Sequence, residues 1–207
     1  MRAYRIAALG VLAAVSLGVA LWVGGRVADE RGASAPPGAT LVPPTPLAPF
    51  ALVDQDGRAF DRARLEGMWT LLFFGYTHCP DVCPMTLATL GQAARRLEAA
   101  EGVLEDTRFV FVSVDPARDS PERLKAYVAH FRPDFLGVTG TDDQIQALTG
   151  QLGVRYERGA SSGPDYAIDH SAAILLIDPE ARWRAVLPAP HDPARIAQAL
   201  LVIRGRS

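Results

Sequence analysis

Three runs almost free of polar side chains constrain this chain more than any other feature: Trp69 to Gly75 (WTLLFFG), Arg108 to Val114 (RFVFVSV) and Ala172 to Ile177 (AAILLI). Each has the length of a strand and lacks the alternation of a half-wet one, so each must be buried on both faces. Helical spacing stands between and after them. Leu87, Leu90, Ala94 and Leu97 recur at threes and fours within Met85 to Glu98, which predicts a helix there. Ser120 to His130 carries a capping Ser120 followed by Pro121, Asp142 to Leu152 reads as a further helix, and Pro193 to Ile203 begins at Asp192. Phe50 to Phe60 has Asp56-Gly57 between short alternating runs, a hairpin signal. Trp183 to Leu187 pairs naturally with AAILLI across the turn Asp178-Pro179-Glu180-Ala181, while Phe135 to Thr139 is short and ambiguous. Strands with interposed helices, ending in a hairpin and a helix, predict an α/β fold with a sheet of mixed strand directions, one domain over 45–207. Hydrophobic residues at 49% supply enough material for that core.

The N-terminal part is of a different kind. From Ile6 to Gly25 twenty consecutive residues carry no charge, enough to cross a bilayer core as one transmembrane helix. Arg2 and Arg5 precede the run, and the charges of Arg26, Asp29, Glu30 and Arg31 beyond it cancel, so residues 1–31 read as a cytoplasmic stub and membrane anchor with the body outside. Gly18-Val19-Ala20 resembles a signal-peptide cleavage site, but the apolar run continues through Leu21, Trp22 and Val23, which favours an uncleaved span. With no transit peptide ahead of it, the expected location is a bacterial inner membrane, single-pass, with the C-terminal domain in the periplasm. Residues 32–49 hold six prolines and no charge and read as an extended Pro/Ala-rich linker overlapping the start of the domain, with a reach of roughly 55 Å at about 3.1 Å per residue. The alternative is that Leu47 to Pro49 packs on the domain surface. The net charge of −2 excludes a basic nucleic-acid binder.

The chemistry concentrates after the first buried strand, in GYTHCPDVCP, Gly75 to Pro84. Cys79 and Cys83 are the only cysteines, too few for a stapled scaffold or a four-thiolate site. Residues four apart on a helix hold their Cβ atoms about 5–6 Å apart, whereas a disulfide wants about 3.5–4.5 Å, so the pair bridges only if the turn adjusts. Two thiolates are also a partial site for soft Cu(I), with zinc a possibility, and a helix N-terminus favours the thiolate that both chemistries need. A buried structural disulfide or two inert thiols is the remaining alternative.

A metal would need a further ligand, and four histidines are available. His78 adjoins Cys79 with its side chain expected to point the other way, as support. His130 and His191 read as exposed. His170 stands immediately before AAILLI, where it could reach the same sheet edge as the cysteines, and a neutral imidazole there would complete a sulfur, sulfur, nitrogen set. A lone histidine before a strand is commonly structural, so the residues by themselves leave both readings open.

GYTHCPDVCP together with SVDPARDSP (Ser113 to Pro121) and DHS (Asp169 to Ser171) resembles the SCO/SenC family of copper-binding, thioredoxin-fold proteins over about residues 45–207. The CxxxC spacing separates it from the CxxC of ordinary thioredoxins, and the family pattern includes an N-terminal anchor. The resemblance implies a thioredoxin-like fold with a mixed sheet flanked by helices, Cys79 and Cys83 as copper-ligating, redox-active cysteines, and His170 as third ligand. It implies copper, Cu(I) and/or Cu(II), as the metal, and assistance in assembling the binuclear copper centre of cytochrome c oxidase. The partner would be the oxidase's copper-site subunit or another copper chaperone. Asp81 and Asp169, in the same motifs, would orient ligands or cap turns, and Asp115 and Asp119 would shape the strand-to-helix loop.

Two other classes fit the same residues. One is a periplasmic thiol-disulfide reductase or peroxidase-like enzyme in which copper is incidental; Thr77 and Cys79 resemble a peroxidatic Thr-x-x-Cys loop, one residue short. The other is a copper or redox sensor. Haem attachment is excluded by the absence of CxxCH.

Overall fold

The computed structural model describes residues 35–159 and 166–205; the expected membrane span lies outside them. Pro36–Ser207 forms a compact unit of its own. Among the described residues no helix is long and apolar enough to cross a membrane.

The predicted runs become strands and helices of one mixed α/β architecture. An eight-stranded sheet has the order β1(Thr40–Pro46), β10(Arg182–Leu187), β9(Ile174–Ile177), β4(Trp69–Gly75), β5(Thr107–Ser113), β6(Leu136–Thr139), β2(Ala51–Asp54), β3(Ala59–Asp61). β4, β5 and β6 are parallel, β9 runs against them on one side with β10 antiparallel to it, and the β2–β3 hairpin closes the other. A separate two-stranded ribbon joins β7(Tyr156–Arg158) to β8(Ile168–His170). The helices are α1(Val82–Leu97), α2(Pro121–Ala129), α3(Asp142–Gln151) and α4(Pro193–Arg204).

β4 is central and every one of its residues is buried. Leu71 and Phe73 pack into one core with Leu87 and Leu90 of α1, Leu124 of α2 and Leu200 of α4. Leu72 and Phe74, their neighbours in sequence, face the opposite core with Ile145 and Leu148 of α3. The two-residue period of the strand therefore feeds two hydrophobic layers, and each fully buried side chain of this kind stabilises by about 1.5–3 kcal/mol. Both helix-forming connections, β4 to β5 and β5 to β6, are crossovers, as parallel neighbours demand.

Several boundaries differ from expectation for physical reasons. α1 begins at Val82, three residues before Met85, because Pro84 falls in its first turn, where a missing N–H costs nothing. Thr40–Pro46, expected within the linker 32–49, is instead the edge strand β1, paired antiparallel with β10. Its prolines are tolerated because the edge leaves one side unpaired and because the register shifts between Leu41 and Thr45, spanning Pro43 and Pro44. The extended segment is thus shorter than the proline count implied. β7 and β8 have no counterpart in the sequence reading, and β8 matters most, because it ends on His170.

Candidate metal centre

The cysteine loop leaves the C-terminal end of β4, the side on which parallel strands commonly present ligand sites. Tyr76 starts the turn: its carbonyl accepts from Cys79 N–H at 3.2 Å. Cys79 sits half-buried ahead of α1, and Cys83, in the first turn of α1, is 0% exposed. Cys83 N–H, one of the unsatisfied amides at the start of the helix, donates to Cys79 Sγ at 3.4 Å.

From far along the chain β8 brings in His170. Its Nε2 lies 3.3 Å from Cys83 Sγ, and its Nδ1 donates to the Ser171 carbonyl at 3.2 Å, leaving the Nε2 lone pair facing the sulfurs. Burial lowers the imidazole's pKa, against smaller opposing effects of the Ser171 carbonyl and Asp169, so the ring is neutral near neutral pH and free to act as a donor. Phe73 and Tyr76 hold it edge-on, with ring centroids at 6.1 and 6.0 Å. Burial pushes the Cys83 thiol far up, so without metal it is protonated.

One ligand atom from each of Cys79, Cys83 and His170 lies within 4.8 Å of the others. An ion about 2.3 Å from sulfur and about 2.0 Å from nitrogen needs donors roughly 3.5–4 Å apart, so the three fit a single ion after small side-chain adjustment. Two sulfurs and an imidazole form a soft set that suits copper. Both cysteines are free thiols here.

The other motif residues fall into a supporting layer. Asp119, 0% exposed, accepts from Thr77 N–H at 2.9 Å, Thr77 Oγ1 at 2.5 Å and Ser113 Oγ at 2.6 Å. It thereby ties the cysteine loop to the end of β5. Asp115 accepts from Tyr166 Oη at 2.5 Å and pairs with Arg118. His78, Asp115 and Asp119 also converge within 4.8 Å, but their carboxylates are committed to these partners. His78 is exposed and turned toward α2, with Nε2 3.2 Å from Arg123 Nη1. Asp81 is exposed at the N-cap of α1 without a side-chain capping bond, and Asp169 is exposed beside His170. His130 is exposed as expected. His191 corrects its reading: it is half-buried and donates from Nε2 to the Ala172 carbonyl at 2.6 Å, holding the start of β9.

With that geometry in place, comparison with known proteins is decisive. Residues 40–203 match the SCO1/SenC family model. The chain belongs to the SCO1/SenC family. It is 43% identical over 132 residues to the human mitochondrial protein SCO2 homolog, covering 63% of this chain and 49% of that protein, so it spans about half the length of that relative. A SCO2-like protein of Rickettsia felis is 36% identical over 153 residues, 73% of each chain. Among solved structures, Arabidopsis thaliana ScoI with copper bound superposes with a TM-score of 0.72 at 33% identity, covering 77% of this chain and 98% of that one. The mixed α/β unit therefore has the thioredoxin-like fold of the Sco structures.

Two site residues of this SCO1/SenC domain escaped the sequence reading. The sequence places Gly75 at the end of the buried run and Tyr76 inside GYTHCPDVCP, with no role of their own. A Cβ built on Gly75 would lie 2.6 Å from Cys83 Sγ and 2.9 Å from the Phe111 ring, so the glycine is the space that Cys83 occupies. Gly75→Ala is expected to push Cys83 away from His170 and to cost about 1–3 kcal/mol by overpacking. Thermal denaturation of the variant checks this, and an unchanged midpoint would refute it.

Proposed function

We propose that this chain is a membrane-anchored copper chaperone that assists assembly of the binuclear copper centre of cytochrome c oxidase. The observation that carries the reading is the convergence of Cys79, Cys83 and His170 within 4.8 Å in a family whose solved members include copper-bound structures. Copper is the cargo. The two thiolates suit Cu(I), and the imidazole extends the set toward Cu(II). Cys79 is half-buried while Cys83 is fully covered, so a partner's cysteine meets the ion first on the Cys79 side, and transfer proceeds by stepwise ligand exchange from there. The partner is the copper-site subunit of the oxidase or another copper chaperone. The uncharged run Ile6 to Gly25 behind Arg2 and Arg5 supports a span in a bacterial inner membrane, with the domain in the periplasm.

A second reading is favoured by the bond from Cys83 N–H to Cys79 Sγ, which orients the more accessible sulfur beside its partner thiol. Cys79 attacks one sulfur of a partner disulfide and releases the other as a thiolate. Cys83 gives its proton to solvent, attacks Cys79 Sγ in the mixed disulfide and releases the second partner thiolate. Two electrons pass to the partner, and Cys79–Cys83 is left oxidised. Such a step would ready the partner's cysteines for metal.

Anaerobic Cu(I) titration of the reduced chain, wild type against His170→Ala, tests the chaperone reading. One equivalent held tightly by the wild type and at least about a hundredfold more weakly by the variant is expected, since a coordinating donor contributes roughly 3 kcal/mol. Binding indifferent to His170 would overturn the three-donor site and leave the dithiol exchange, whose rate His170→Ala should not reduce.

A further inference from the structure

Tyr76 meets two of the three ligand residues. Its carbonyl accepts from Cys79 N–H at 3.2 Å, and its ring meets the His170 imidazole at 87° with centroids 6.0 Å apart. The residue is 4% exposed, and it packs in the same core as Ile168, two residues before His170 on β8. On its other side the Arg118 guanidinium carbon stands 5.6 Å from the Tyr76 ring centroid and 3.5 Å from that of Tyr166, and Tyr166 is itself bonded to Asp115.

The main-chain contacts would survive any side-chain change at this position; the side chain's own contribution is directed to β8. That strand needs it. β8 is three residues long and pairs only with the equally short β7, through Tyr156↔His170, Glu157↔Asp169 and Arg158↔Ile168. It belongs to the two-stranded ribbon and not to the main sheet that positions the cysteines, and an isolated two-stranded pairing is marginal. On the β7 side Ser171 is fastened to Arg155, N–H to carbonyl at 2.9 Å. Toward the cysteine loop, Tyr76 joins the ribbon to the end of β4 by its ring contact with His170 and by the core it shares with Ile168.

We infer that Tyr76 is the positioning residue of this centre, its side chain pinning β8 to the end of β4 so that His170 closes on the cysteine pair. The inference rests on the copper-site reading for its consequence, but the pinning itself exists without metal. Tyr76→Phe keeps the ring contact and removes only the hydroxyl; Tyr76→Leu removes the ring contact.

The test uses the full chain in detergent micelles, with Cu(I) as probe and with the metal-free protein read by NMR. Tyr76→Phe, which keeps the ring against His170, is expected to hold Cu(I) within about threefold of the wild type. Tyr76→Leu should approach the loss seen in His170→Ala. In a His170→Ala background neither substitution should cost anything further, because a pin has nothing left to hold. In the metal-free wild type a nuclear Overhauser contact is expected between the His170 ring and the Cys83 β-protons, whose sulfur lies 3.3 Å from Nε2; it should persist in Tyr76→Phe and vanish in Tyr76→Leu while the core resonances stay in place. Equal costs with and without His170, or a contact that persists in Tyr76→Leu, would overturn the assignment. If the wild type fails to hold Cu(I) but the contact still depends on Tyr76, the copper reading falls and the pin stands.

Discussion

A Cys83→Ser chain is expected to fold and to lose tight copper binding by at least about a hundredfold, because the substitution replaces a soft sulfur donor with a hard hydroxyl in an otherwise unchanged site. Cys83 lies at the centre of the donor set: its Sγ faces His170 Nε2 at 3.3 Å, its N–H supports Cys79 Sγ, and its side chain packs against the core that holds Leu87 and Phe111. Serine is close in size, and its hydroxyl can donate to Nε2 as the thiol does, so no buried polar group is left without a partner. The stability change should stay within about 1 kcal/mol. A single comparison of thermal midpoint and copper stoichiometry against wild type checks both halves. Retention of a full, tight equivalent by Cys83→Ser would mean that Cys79 and His170 suffice and that the buried thiol has a different purpose.

How much of this was legible beforehand depends on range along the chain. β4, β5 and β9 announced themselves because a strand covered on both faces must be apolar throughout, and α1 to α4 because a helix on one face of a sheet must repeat every three to four residues. β1 was hidden by Pro43 and Pro44, which argue for an extended linker until the bulged edge pairing with β10 is seen. β7 and β8 were hidden by brevity: three residues carry no period, and their partners lie across a long connection. The cysteine pair could be read from GYTHCPDVCP, but its meeting with His170, 87 positions from Cys83, was one of two open readings of a histidine before a strand. The resemblance chose between them. Asp119 was read as a loop-shaping residue, and that is its place; its particular partners, Thr77 and Ser113, follow from the adjacency of β4 and β5. Tyr76 and Gly75 had no local signal, because what distinguishes them is the position of Cys83 and of β8 in space.

The largest loss of stability is expected from Asp119→Ala. The carboxylate is fully buried and accepts three bonds, two from Thr77 and one from Ser113, and the Ser113 hydroxyl in turn accepts from Asp115 N–H at 3.0 Å. Removing the acceptor leaves Thr77 N–H fixed in place with no partner, and it leaves two hydroxyls that can only partly turn elsewhere. An unpaired buried donor costs about 1–3 kcal/mol, and bonds to a charged acceptor are the stronger ones, so a total of about 3–5 kcal/mol is reasonable. For a domain of this size that corresponds to a fall in thermal midpoint on the order of 10 °C. Asp119→Asn should fall between the two, since its amide oxygen still accepts while its NH₂ group faces a donor. The damage should also reach the cysteines, because Thr77 lies two residues before Cys79 and Asp119 is what fastens that loop to β5. Alkylation of Cys83, slow in the wild type where the sulfur is covered, is therefore expected to accelerate in Asp119→Ala at temperatures well below unfolding. Thermal melts and timed alkylation of the metal-free chain measure the two effects independently. An Asp119→Ala protein that melted like wild type would show that the three bonds are replaced by water. One that lost stability without exposing Cys83 would show that the loop is held by the turn at Tyr76 and the start of α1 alone.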